Sequence, residues 1–131
     1  MAEHPNVSVV RRFYQAFIAR DTARLYQLAG EKMGFHIAGR SQFSGLFTGR
    51  DQILKVFHDT GVATDRSLHI EPHAVAGDDQ HVVGLHHISA SRAGKAPLDQ
   101  NGCLVCHVDG AVITDAWLLW EDLRAADAFW G

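Results

Sequence analysis

His36 lies between Phe35 and Ile37 in the stretch MGFHIAGRS, residues 33–41, on what reads as a buried strand entering a Gly-Arg-Ser turn. An imidazole exchanges a proton near pH 7, so a histidine in an apolar cavity is a candidate general base or acid. The competing reading is a core histidine with both ring nitrogens satisfied. Asp115, in the last apolar run, is a second group that could exchange a proton or orient the first. Arg40, just past the turn glycine, could bind a carboxylate or a carbonyl oxygen, or simply hold the turn. Together these residues suggest proton transfer on a small molecule, with His36 and Asp115 as the catalytic candidates.

Other reactive residues argue against different chemistries. Cys103 and Cys106 spell C-L-V-C within NGCLVCHVDG, a strand pattern in which residues three apart point to opposite faces, so they can neither share a metal nor form a disulfide easily. Two free thiols suit a reducing, cytoplasmic compartment. The chain has nine histidines but no H-x-x-x-H on a helix and no H-x-H on a strand. His69 and His73 would stand about 13 Å apart on a strand, too far to chelate one ion. No metal is expected. A glycine-rich phosphate loop before a helix is missing, so no nucleotide cofactor is expected either. His86 and His87 must face opposite sides of their strand, so at most one sees a cavity.

The elements that would position these groups follow from periodicity. Val7, Val10, Tyr14 and Phe17 recur at helical spacing over Asn6–Ala19, with Val9 and Phe13 widening the stripe and Pro5 in the opening turn. Asp21 can cap a short second helix that Gly30 would end, and Thr48 begins T-x-x-D ahead of a third helix closed by Gly61. After Thr64 the period becomes two. Leu68–Ala76, His81–Ser91, Leu98–Val108 and Val112–Trp120 read as successive strands, with Asp109-Gly110 the strongest hairpin signal, and EDLRAADAFWG as a closing helix. Helices followed by a meander describe an α+β domain, a curved antiparallel sheet wrapped around N-terminal helices with a pocket between them. In the last strand, parity divides Asp115, Trp117, Leu119 and Glu121 from Thr114, Ala116, Leu118 and Trp120 without saying which set faces inward. Tyr14, Phe17, Phe57, Trp117 and Trp120 would fill the core or line the pocket.

Three separated segments, HPNVSVVRRFYQAFIARD, FHIAGRSQFSGLFTGRDQILKVF and ITDAWLLWEDLRAADAFWG, resemble the SnoaL-like branch of the nuclear transport factor 2-like superfamily. The resemblance spans nearly the whole chain and implies a single SnoaL-like domain over residues 1–131, with a cone-shaped, cystatin-like α+β barrel. Relatives include ketosteroid isomerase, polyketide cyclases, limonene epoxide hydrolase, scytalone dehydratase and proteins that only bind, so the fold alone does not select a chemistry. Compared with the isomerase, the general-base position matches His36. The first-helix tyrosine of its oxyanion hole matches Phe13, its protonated acid matches Leu104 or Cys103, and a supporting tyrosine matches Phe57. The isomerase's donor network is therefore missing, and the standard steroid isomerase mechanism is not expected. The same comparison favours His86 over His87 as a pocket residue.

With 47% hydrophobic and 21% charged residues the chain is globular, and no apolar run approaches the roughly 18 residues of a membrane span. The net charge of -3, with Lys and Arg scattered, excludes the basic footprint of a nucleic-acid binder, and no export signal opens the chain. The expected partner is a small apolar or polycyclic molecule, together with a second copy of the chain, because both faces of GCLVCHV are largely apolar and need covering. The expected function is a cofactor-independent enzyme of the cyclase, isomerase or dehydratase type. His36 and Asp115 would be catalytic, with Tyr14, Phe17, Arg40, Phe57, His86, Trp117 and Trp120 around the substrate. The rivals are a non-catalytic binding protein, and an epoxide hydrolase, which requires a buried carboxylate.

Overall fold

The computed structural model describes residues 3–131. Helix α1 (Pro5–Ala19) starts with Pro5 where its missing N–H costs nothing, and His4 Nδ1 accepts from the Asn6 amide at 3.1 Å. It stops at Arg20, which takes a left-handed conformation. Helix α2 (Thr22–Leu28) is capped by Asp21, whose carboxylate accepts from the Arg24 amide at 3.0 Å. It runs straight into strand β1 (Ala29–Ile37), so Gly30 belongs to the strand rather than terminating the helix. The short β2 (Gly45–Thr48) precedes α3 (Arg50–Ala63). Thr48 does not cap α3. Gly49 occupies that position, while Gln52 reaches back to accept from the Thr48 amide at 2.9 Å. Gly61 lies inside α3, which ends past it through the left-handed pair Asp65 and Arg66.

Strands β3 (His69–Gly77), β4 (His81–Ala90), β5 (Leu98–Asp109) and β6 (Val112–Trp120) form the meander, and α4 (Leu123–Trp130) closes the chain. Gly110 and Ala111, both at positive φ, make the two-residue turn between β5 and β6. The six strands form one curved, unclosed sheet in the order β2-β1-β6-β5-β4-β3. Every neighbouring pair is antiparallel except β1 with β6, which run parallel. Bulges between His107 and Val108 and between Pro72 and Ala74 shift the register, and the first lets Ile113 and Ala116 both turn inward on β6.

One apolar core fills the concave side. Val10, Phe13 and Tyr14 of α1, Ile53 and Val56 of α3, and Phe129 and Trp130 of α4 pack with Val82, Ile88, Leu104, Cys106 and Ala116 of the sheet. Phe57 ties three elements together, meeting Phe13, Phe17 and Phe35 edge-on at 6.2, 5.1 and 5.2 Å between ring centroids. No described helix is long and apolar enough to cross a membrane.

Candidate functional site

The space left between α1, α3, α4 and the sheet is a cavity of about 60 Å³. Phe13, Tyr14, Phe17 and Phe57 of the helices form one wall, and Ile88, His86, Leu104, Leu118 and Trp120 of the strands form the other. Its volume is well below the ~300 Å³ at which drug-sized ligands begin to fit, so the walls as they stand suit a single ring or a short chain rather than a polycyclic body. No Asp or Glu is among the described lining residues.

Polarity in this cavity is confined to a few atoms. The Thr60 hydroxyl donates to the Phe57 carbonyl at 2.9 Å, and Trp120 Nε1 donates to the Ala38 carbonyl at 2.9 Å. Tyr14 and His86 face each other, with the phenol oxygen 2.8 Å from Nδ1 and both side chains buried. His86 Nε2 and Trp130 Nε1 are buried without a hydrogen-bond partner, and both residues line the cavity. Unpaired buried polar atoms cost stability, and in a native fold they mark places where a ligand or water completes the bonding.

Burial sets the protonation of the pair. Desolvation, with smaller contributions from His73 and His87, pushes His86 down to about 4, so its ring is neutral at physiological pH. Desolvation, reinforced by Cys106 and Cys103, pushes the Tyr14 hydroxyl above the usual phenol range, so it keeps its proton. Two proton placements satisfy the contact. Either the phenol donates to Nδ1, or Nδ1–H donates to the phenol oxygen and leaves the phenol hydrogen free for a ligand.

Two glycines make room for this pair. A Cβ on Gly84 of β4 would collide with the Tyr14 hydroxyl, and one on Gly102 of β5 would meet the Leu119 carbonyl at 2.7 Å and His86 Nε2 at 3.0 Å. The flat backbone at these two points lets a helix tyrosine and a strand histidine share one layer.

The two residues expected to be catalytic lie elsewhere. His36 is on the convex face of β1 and stacks on Trp117 with centroids 4.8 Å apart and planes 7° from parallel. His107 meets the other side of Trp117, and His81 meets His107, giving an aromatic row across four strands. Asp115 is on that same convex face, paired in register with His107 and Gly34. Strand alternation is the cause. Phe35 and Ile37 turn into the cavity, so His36 between them must turn out, and on β6 Leu118 and Trp120 turn in while Asp115 and Trp117 turn out. Arg40 is exposed in the loop after β1, its amide donating to Asp127 Oδ1 at 2.8 Å, and is not in the cavity wall. Tyr14, Phe17, Phe57, His86 and Trp120 do line the cavity. Sequence reasoning missed Trp130 and Phe43, which close one end with rings 5.3 Å apart, although the aromatic pair in DAFWG was the available signal.

Comparison with known proteins agrees with this architecture. A family model described as a SnoaL-like domain matches residues 10–116. The chain belongs to the SnoaL-like family. Among curated relatives of this SnoaL-like protein are uncharacterised proteins of Mycobacterium tuberculosis and Mycobacterium bovis, 30% identical over 131 residues and covering 99% of each chain. Bal32a, from a soil-derived mobile gene cassette, is similar at 34% identity, with a TM-score of 0.92 over 97% of both chains. TerC, co-crystallised with polyporic acid, shares the fold at 10% identity and a TM-score of 0.83, covering 96% of this SnoaL-like chain and 98% of its own. Within the described residues no group of three His, Cys, Asp or Glu is placed to hold a metal.

Proposed function

We propose that this SnoaL-like protein binds a small, mostly apolar carbonyl compound in its cavity and catalyses cofactor-independent proton transfer on it, in the manner of a polyketide cyclase or isomerase. The observation that carries this reading is the Tyr14–His86 pair, an uncharged donor and base set in an otherwise apolar wall. With Nδ1 protonated, His86 donates to the Tyr14 oxygen and the phenol hydrogen points at the substrate carbonyl. As negative charge grows on that oxygen during enolisation or aldol ring closure, the bond strengthens, and the apolar surroundings screen it little. In this tautomer His86 Nε2 is the basic atom among the described lining residues and takes the proton leaving carbon. Its low basicity restricts the reaction to activated C–H bonds, such as those between two carbonyls. Tyr14 supplies the phenol that matching Phe13 to the isomerase tyrosine had left out.

A second reading, binding without turnover, is favoured by one observation: His86 Nε2 packs against the β5 backbone at Gly102. Deuterium exchange separates the two. Small 1,3-diketones and aryl ketones would be incubated with the protein in D₂O while carbon-bound hydrogen and the His86 ring signals are followed by NMR. The expected result is protein-dependent exchange that falls at least about 100-fold in Tyr14→Phe and His86→Gln. Shifted His86 signals without exchange would leave a binding protein, and neither response would reject both readings.

We also read the chain as one cytoplasmic domain that pairs with a second copy through the convex face. Leu46, Val83, Leu85 and Leu119 stand 38–58% exposed around the His36–Trp117 stack, which supports the pairing, and the free Cys103 and Cys106 support a reducing compartment. Sedimentation of wild type beside Leu85→Lys tests the dimer. A monomer in both would remove it.

A further inference from the structure

Beside the cavity lies a larger depression of about 600 Å³ bounded by the end of α1, the start of α2, α3 and the first residues of β3. Phe17, Phe57, Leu68 and Ile70 line both spaces and stand at the boundary between them. Beyond this boundary the character changes. Arg20 and Arg66 line the outer space together with Thr22, His58, Ser67 and His69, and no carboxylate is among its described lining residues. This positive vestibule belongs to a chain whose formal net charge is -3.

The two arginines are placed by the backbone at the ends of α1 and α3. Arg20 and Arg66 both adopt left-handed backbone at φ 56° and 61°, which non-glycine residues rarely take. The Arg66 amide donates to the Gly61 carbonyl at 2.8 Å, closing α3, and the Arg66 carbonyl accepts from Arg20 Nη2 at 3.2 Å, joining the ends of α1 and α3. Neither guanidinium is within ion-pair distance of an acid among the described residues. Asp21, next to Arg20, is committed to the Arg24 amide, and Asp65 and Glu71 are not vestibule residues. Two arginines without an acidic partner among the described residues thus line the depression that adjoins the cavity of the phenol–imidazole pair.

We propose that the vestibule is a carboxylate subsite, so that the ligand of this cavity is an amphiphilic carboxylic acid. Its slim apolar body lies in the cavity and its carboxylate is held by Arg20 and Arg66. The assignment rests on the cavity reading above and adds the polarity and length of the ligand. Arg20 lies six positions after Tyr14, just past the end of α1, an axial rise of about 9 Å, so the ligand has its carbonyl or hydroxyl and its acid group at opposite ends. Guanidinium forks match the two oxygens of a carboxylate, and because both arginines are exposed the attraction weakens with salt.

The test compares a series of ω-phenylalkanoates and unbranched alkanoates with their methyl esters, reading Kd by calorimetry and cavity occupancy from the His86 ring signals. The expected result is an acid bound at least about 10-fold tighter than its ester at low salt, with the preference lost in Arg20→Gln/Arg66→Gln and at 0.5 M NaCl, and restored by lysine at the same positions. Tyr14→Phe should weaken acid and ester alike. If acid and ester bind equally and both shift His86, the subsite is wrong and the cavity reading stands. If no member of either series shifts His86, the cavity reading fails and the subsite with it. The acid–ester comparison in the wild type decides the matter even if the arginine variants do not fold.

Discussion

His86 and His87 are neighbours on β4, yet they face opposite sides of the sheet and behave in opposite ways. His86 looks into the concave cavity, loses its water and bonds to a phenol, and its ring is held neutral. His87 looks out to solvent, where hydrogen bonds to Asn101 and Asp99 raise its pKa and favour its charged form. The same division separates Leu118 and Trp120 from Asp115 and Trp117 on β6, and Phe35 and Ile37 from His36 on β1. Residue type therefore says little here about chemistry until strand parity is known. The convex face carries several histidines, with stacked rings and leucines that are exposed in the single chain. Among the described residues that line the cavity the one histidine is His86, where solvent is excluded.

Truncations on either side of β4 give the widest separation between the faces. Ile88→Ala, at a site 2% exposed, should cost about 2–5 kcal/mol in urea unfolding, whereas Leu85→Ala, at a site 45% exposed, should cost less than about 0.5 kcal/mol in the monomer. Equal costs would mean that the convex face is also buried in solution. Acid titration of stability comes next. Between pH 6.5 and about 4 the unfolded chain binds the proton that folded His86 refuses, so stability falls as pH drops through that window, by up to roughly 3 kcal/mol. His86→Gln should flatten that dependence. His87 has the reverse sign: its contribution is present below pH 6.5 and is lost as pH rises through its raised folded value, and His87→Gln should remove it.

Gly84→Ala tests the room left for Tyr14. It should cost about 1–3 kcal/mol by overpacking and shift the Tyr14 and His86 NMR signals, while Gly94→Ala, whose Cβ meets no atom within 4 Å, should leave those signals in place. The smallest effect is expected for His36→Ala: ligand affinity and any turnover should stay within about twofold of wild type, since His36 touches Trp117 rather than the cavity. A 100-fold loss of turnover in that variant would restore it as a catalytic residue and overturn the division between faces.

The elements were readable because their signals are local. The α1 stripe, the Asp21 cap and the four alternating runs of the meander depend on residues a few positions apart, and the strands form within a residue or two of where alternation placed them. The site was less readable because it depends on which face of each strand turns inward. Aligning His36 with a relative's general base assigned it to the cavity, although Phe35 and Ile37 on either side already implied the opposite by alternation. Tyr14 was recognised as an aromatic of the pocket but not as a hydrogen-bonding group, because its partner His86 is 72 positions away and only the packing of α1 across β4 brings them together. Gly84 and Gly102 look like ordinary strand glycines in sequence. Their purpose, leaving space for that pair, emerges only when the helix lies across them.

The parallel pairing of β1 with β6 also bears on how the molecule is made. Gly34 through Ile37 pair with Asp115 through Leu118, so β1 finds this partner only after the residues between them have been synthesised. Until then β1 has β2 alone beside it, and the aromatic wall around Phe57 has no far side to close against. The sheet is therefore completed only once β6 is available, and this pairing of segments distant in sequence is of the kind that slows folding. A stalled nascent chain ending before Val112 would expose the future cavity to chaperones and proteases, whereas one extended past Trp120 with enough tunnel-spanning linker would not.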